Sequence, residues 1–180
     1  LASPYDEEDY LSQIRSALPD GVWFDSSWVL QQHKDEEIYY RTDHHWKTLA
    51  AYYVFADWSR EKGLGNVSLE DYEITTVAQD FRGTVSSKVG IPTEPDTIEI
   101  FEPVDSVSYL LTYNQSDDVR STVYQMQVLD SKDKYSVYYG GNYGLVEAKT
   151  DAGTGRRLLI IKDSYAHCFT PFTYQMFDQV

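Results

Sequence analysis

Asp43-His44-His45-Trp46 brings an acid and two imidazoles together, and a serine stands far along the chain in Lys162-Asp163-Ser164-Tyr165-Ala166. A serine hydroxyl becomes a nucleophile when an imidazole within hydrogen-bond reach takes its proton and a carboxylate orients that imidazole. The chain holds all three groups, so acyl transfer or ester cleavage is the chemistry its residue types favour. Ser164 follows the most apolar run of the sequence, Leu158-Leu159-Ile160-Ile161, which places it where a buried strand turns into a helix. Ligands of open α/β sheets gather at such strand ends. There the backbone amides of Ser164 and Tyr165, close to a helix start, would donate to an oxyanion. The competing reading of Ser164 is a plain helix N-cap.

Asp43, His44 and His45 admit three readings. Asp43 caps the helix that follows, or one of the two histidines faces a site while the other supports structure, or the group holds a metal. The remaining histidines, His33 and His167, fall in no recognisable ligand spacing. Tyr139-Gly140-Gly141-Asn142 is a turn whose glycines let the backbone approach a ligand, and the Asn142 amide would suit a tetrahedral oxyanion. Alternatively it is an ordinary Gly-Gly-Asn turn. Cys168 reads as a packed core thiol.

The elements that must position these groups follow from periodicity. Residues 5–18 have helical spacing, with Tyr10, Leu11, Ile14 and Leu18 on one side and Pro19-Asp20-Gly21 as the stop. Residues 22–25 read as a short buried strand and 27–33 as a short helix. Residues 38–40 are extended and lead into the acid–imidazole motif. From 46 to 62 the positions Trp46, Leu49, Ala50, Tyr53, Val54 and Trp58 trace a helical face that Gly63 and Gly65 end. Residues 81–90 read as loop. Runs 97–101, 107–113, 122–129 and 135–139 read as strands rich in Tyr, Val and Thr. Residues 157–162 form a strand of the parallel-sheet kind, and 165–177 a helix interrupted at Pro171. Alternating buried strands and amphipathic helices at both ends predict a three-layer α/β fold with a mainly parallel sheet. The chain reads as a single domain over 1–180, with a β-rich insertion at about 67–134 framing the pocket.

Composition narrows the partners. Fifteen basic and 29 acidic residues give −14 over 180 residues, spread along the chain. A nucleic-acid groove or an anionic-membrane patch needs clustered Lys and Arg. No run approaches the ~20 apolar residues of a membrane-spanning helix, and the first ten residues are polar and acidic. The 16 Tyr and 4 Trp suit sugar rings, or else fill the core. One cysteine rules out an internal disulfide.

Tyr40-Arg41-Thr42-Asp43-His44-His45-Trp46, followed much later by Ile161-Lys162-Asp163-Ser164-Tyr165-Ala166, resembles the DHHW protein family of bacteria. Phe81-Arg82-Gly83-Thr84 and Gly140-Gly141-Asn142 also resemble its signature positions. That family is similar to SGNH hydrolases, and within them to the acetyltransferase domains of alginate O-acetylation proteins. The resemblance implies an SGNH-hydrolase-like, flavodoxin-like sheet. It also implies Ser164 as nucleophile, His45 as general base and Asp43 as its orienter, with His44 structural. Asn142, Gly141, Tyr165 and Trp46 become the oxyanion or substrate-binding residues, while Lys162 stands where the pattern has Gly. The implied activity is an extracytoplasmic O-acyl esterase or O-acetyltransferase. Its partners are a carbohydrate polymer, cell-surface or secreted, and an acyl donor, with no cofactor, metal or nucleic acid. An export segment ahead of the chain, the one route to membrane association, and a further strand beyond residue 180 are also expected. A non-catalytic polysaccharide-binding or assembly protein and a metal-dependent phosphoesterase are the rival readings.

Overall fold

The computed structural model describes residues 6–90 and 92–180; Tyr5, where the first helix was expected to begin, lies outside them. The chain opens with α1 (Glu7–Ala17), capped by the Asp6 side chain on the Asp9 amide at 3.2 Å. Three acids in its first turn and Arg15 in its last suit the helix dipole. None of its residues is buried, so the apolar side expected of it packs only in part. Residues 22–25, expected as a strand, are not one: Val22 is exposed, and Asp25 instead caps α2 (Ser26–Gln32) through the amides of Ser27 and Trp28. A capping acid takes the segment out of strand pairing.

The central helix α3 (Thr48–Glu61) has its buried stripe at Thr48, Ala51, Tyr52, Phe55 and Ser59, with Ala50 and Val54 beside it. That stripe is rotated from the expected one: Leu49, Tyr53 and Trp58 are only partly buried. Large amphipathic rings can stay at the rim of a core while Ala and Thr lie beneath the neighbouring sheet. Phe55 stacks on Phe172 at 5.4 Å, and Phe172 meets Tyr72 edge-on at 5.3 Å. Each such fully buried ring contributes about 1.5–3 kcal/mol.

Two small sheets complete the mixed α/β fold. In the first, β1 (Tyr72–Phe81) pairs antiparallel with β2 (Asp96–Pro103), and α4 (Thr84–Val89) lies between them in sequence. In the second, β3 (Tyr109–Tyr113) pairs antiparallel with both β4 (Val119–Arg120) and β5 (Val146–Thr150). Every ladder among the described residues is antiparallel, so the expected mainly parallel, three-layer SGNH-like sheet is not what these strands build. The reason lies at residues 157–162. Apart from a bridge between Arg157 and Gln179, the run makes no ladder, and Leu159 and Ile161 are 81% and 94% exposed. Among the described residues no strand flanks the run, so Leu158 and Ile160 are only partly buried while Leu159 and Ile161 face outward.

Further differences follow from turn chemistry. Residues 122–129 and 135–139 form 3₁₀ turns at Met126–Asp130 and Lys134–Val137, with a single bridge between Tyr124 and Tyr138. The expected helix over 165–177 is a 3₁₀ turn at Ser164–His167 and a short α5 (Thr170–Thr173) with Pro171 in its first turn. Among the described residues nine tyrosines are buried, which makes the tyrosines chiefly core residues rather than a sugar-facing surface. Their hydroxyls are largely satisfied: Tyr124 donates to the Phe101 carbonyl at 2.8 Å, and Tyr139 and Tyr174 share a bond of 2.6 Å.

Candidate active site

Asp96 builds the loop that carries the acid–imidazole motif. Its buried carboxylate accepts from the amides of Arg41 (3.1 Å) and Thr42 (2.8 Å) and from the Thr42 hydroxyl (2.6 Å). Tyr39 and Trp46 bridge the base of the loop, and the Lys47 amide donates to the Ile38 carbonyl at 2.8 Å. The motif is thus a closed loop rather than the first turn of α3. Lys47, not Asp43, occupies the α3 N-cap position, so the capping reading of Asp43 does not hold.

Within the loop Asp43 makes an Asx turn: its Oδ1 accepts the His45 amide at 3.1 Å. The same oxygen receives the His45 ring through Nδ1 at 2.5 Å. A spacing of two residues therefore places backbone and ring on one carboxylate oxygen, and His44, one residue from Asp43, falls outside that geometry. His44 is exposed, and its Nδ1 meets the Thr84 hydroxyl at 2.7 Å. The other carboxylate oxygen of Asp43 accepts the Thr84 amide (2.8 Å) and hydroxyl (3.1 Å). Gly83 makes this approach possible, since a Cβ there would stand 2.5 Å from Asp43 Cγ.

Burial works to raise the Asp43 carboxyl. Hydrogen bonds from the His45 ring and from the Thr84 and His45 amides outweigh it and hold the group well below the usual carboxylate range. An ionised Asp43 accepts only, so His45 carries its proton on Nδ1 and leaves Nε2 bare. Ser164 Oγ lies 2.7 Å from that Nε2, across 119 residues of sequence. The order carboxylate, imidazole, hydroxyl is unbroken, and both Asp43 and His45 are buried. Such a chain can move the Ser164 proton to His45 as Oγ attacks a carbonyl.

A second Asx turn holds the serine: the Asp163 side chain accepts the Tyr165 amide at 2.9 Å with Ser164 between them. That amide, expected as an oxyanion donor, is engaged by Asp163. Braces tie the two motifs together. Trp46 Nε1 donates to the Tyr165 carbonyl at 2.8 Å, and the Tyr165 hydroxyl donates to the His44 carbonyl. Tyr135 adds a third. Its ring stacks on His45 at 3.9 Å and 12°, while its hydroxyl donates to the Ser164 carbonyl at 3.0 Å.

A cavity of about 470 Å³ opens beside Ser164, bordered by Gly141, Asn142, Lys162 and His167. Tyr139 is held at φ 68°, ahead of Gly140 at 82° and Gly141 at 137°, so the turn presenting Asn142 is strained at a residue with a side chain. Cys168 is buried, and burial pushes its thiol up to about 12, which keeps it protonated and inert.

The metal reading meets the same hydrogen bonds. Ligand atoms of Asp43, His44 and His45 lie within 4.8 Å of one another. A cation there would have to displace the Asp43–His45 bond and the bonds that both carboxylate oxygens and His44 make around Thr84. The residues that complete the arrangement were not singled out by chemistry in the sequence. Asp96 stands just ahead of the strand-like stretch 97–101 and Tyr135 opens that of 135–139, and Gly83-Thr84 stand out only through the family resemblance.

A model of the DHHW protein family matches residues 25–180. A solved DHHW family protein from Eubacterium siraeum superimposes with a TM-score of 0.82 at 27% identity, over 97% of this chain and 60% of that one. Bacillus cereus PatB1, solved with a sulfonyl adduct, gives 0.73 at 20% identity over 99% of this chain and 64% of its own. A second structure of Bacillus cereus PatB1 gives 0.73 at 20% identity, over 96% of this chain and 63% of that one. No curated protein matches in sequence. The chain therefore spans less than two thirds of the length of these solved relatives. With a family match over most of its residues, as its two end motifs implied, the chain belongs to the DHHW protein family.

Proposed function

We propose that this protein is a serine acyl-transfer enzyme of the O-acyl esterase or O-acetyltransferase kind, acting outside the cytoplasm on a cell-surface or secreted polysaccharide. The observation that carries the reading is the chain Asp43–His45–Ser164, with bonds of 2.5 and 2.7 Å spanning both ends of the sequence. Ser164 Oγ attacks an ester carbonyl as its proton passes to His45 Nε2, and Asp43 steadies the imidazolium that forms. The Asn142 amide, on the rim of the same cavity, is the oxyanion donor. The proton then leaves with the departing alcohol, giving acyl-Ser164. Water, or a hydroxyl of the acceptor, reverses these steps, His45 taking its proton. Residues 67–134 frame the site within a single domain, supplying Asp96, Gly83 and Thr84 around the motif loop.

PatB1 shares the fold and was captured with a sulfonyl adduct. The same reagent chemistry gives a direct test here. A sulfonyl fluoride should label this protein once, at Ser164, and abolish its hydrolysis of p-nitrophenyl acetate. Ser164→Ala should take neither label nor turn over. Labelling elsewhere, or equal hydrolysis by Ser164→Ala, would transfer the protein to the polysaccharide-binding reading.

A further inference from the structure

The cavity beside Ser164 differs in charge from the rest of the molecule. The chain carries −14, yet the cavity's charged lining is one cation and one anion, Lys162 and Asp163. Its other walls are mostly aromatic and aliphatic. Several polar groups on it are already engaged: the Thr170 hydroxyl donates to the Ala166 carbonyl at 2.6 Å, and the Tyr139 hydroxyl is paired with Tyr174. The Tyr143 hydroxyl accepts from Arg120 at 3.3 Å, so the uncharged side chains that remain for a ligand, besides Ser164, are Asn142 and His167.

His167 is the unusual one. It is 6% exposed, with the Tyr135 and Tyr139 rings 6.3 and 5.5 Å away. Among the described residues neither of its ring nitrogens has a hydrogen-bond partner. Its ring lines the cavity that the nucleophile also lines, so its nitrogens are open to whatever fills that space. Burial, with Lys162 and His45 working the same way, pushes it down to about 4, so it is uncharged at neutral pH. An uncharged imidazole offers one N–H and one bare nitrogen. A hydroxyl, donor and acceptor at once, is the matching group, whereas a carboxylate or phosphate would call for several cationic donors.

We infer that His167 is a specificity-determining residue of this site, recognising a hydroxyl on a neutral saccharide ring seated in the cavity beside Ser164. The inference rests on the acyl-transfer reading only for what happens to the saccharide afterwards; recognition needs no turnover. It is therefore tested on Ser164→Ala protein, with ¹⁵N-labelled histidine, titrated with chitotriose, with cellotriose and with the anionic trigalacturonate. At least one neutral trisaccharide should shift the His167 ring resonances saturably and bind about tenfold or more tightly than trigalacturonate. His167→Phe should weaken that binding at least about tenfold, and His167→Gln, which keeps a donor and an acceptor, should retain most of it. Absence of a saturable His167 shift with both neutral probes overturns the inference, as does equal binding by His167→Phe or preference for the anionic probe. Should His167→Phe fail to fold, the ring shift and the His167→Gln affinity still decide. Saccharide binding without sulfonyl labelling of the wild type would sink the acyl-transfer reading and leave His167 standing. Labelling without binding would do the reverse.

Discussion

Replacing Asp43 by Asn tests the site at its most constrained atom. The carboxylate accepts four hydrogen bonds, two on each oxygen, and each oxygen holds one backbone amide: His45 N at 3.1 Å and Thr84 N at 2.8 Å. An Asn side chain has one accepting oxygen, so in either orientation its NH₂ faces a backbone N–H. That orphans a buried donor and costs about 1–3 kcal/mol of stability. The shorter Thr84 bond favours keeping the oxygen there and turning NH₂ toward His45. The ring must then accept at Nδ1 and carry its proton on Nε2, the nitrogen that receives the proton of Ser164 in the proposed reaction. Loss of the productive tautomer in serine triads costs about 10⁴-fold in kcat, or about 5.5 kcal/mol of transition-state stabilisation. Hydrolysis of p-nitrophenyl acetate by Asp43→Asn should fall toward that limit, while urea unfolding should show the smaller stability loss. Nitrogen chemical shifts of His45 should report the switched tautomer. A variant that keeps kcat within tenfold of wild type while folding normally would refute the argument.

Three further outcomes follow from contacts around the site. Gly83→Ala forces a Cβ against Asp43 Cγ, and should cost about 1–3 kcal/mol in denaturant titration and lower turnover with it; an unchanged midpoint and rate would contradict the close approach. Tyr135→Phe keeps the stack on His45 but loses the bond to the Ser164 carbonyl, a loss of about 0.5–1.5 kcal/mol, whereas Tyr135→Leu loses both and should slow sulfonyl labelling further; equal labelling rates in all three proteins would show that the ring positions nothing. His167 titrates near 6.5 when unfolded and near 4 when folded, so the unfolded chain binds the proton first as pH drops. Its contribution is complete above 6.5 and disappears as pH falls toward 4, up to about 3 kcal/mol, so wild type should lose that much more stability across the window than His167→Asn; parallel pH curves would refute it.

Local chemistry was legible in the sequence, and long-range pairing was not. Asp43 and His45 meet because an Asx turn spans two residues, so the spacing itself carries the geometry and selects His45 over His44. The same device recurs at Asp163-Ser164-Tyr165, where residue types alone allowed either a cap or a nucleophile and the structure shows a capping Asp163 beside a serine that meets His45. The contact between Ser164 and His45 crosses 119 residues, and nothing in either segment encodes it; motif order and family resemblance brought the two together. Asp96 carries no signal of its own, because an acid just ahead of a strand-like run has no distinguishing pattern, although it organises the loop that carries Asp43 and His45. Residues 157–162 show the opposite error. Apolarity measures how strongly a segment gains from burial, and a ladder needs partner strands at the right register as well. Leu159 and Ile161 have the first without the second, and their exposed run borders the cavity that Ser164 opens onto. The hydroxyl is held by Asp163 beside it and by His45, Trp46 and Tyr135, three side chains that reach the serine and its neighbour from two distant parts of the chain.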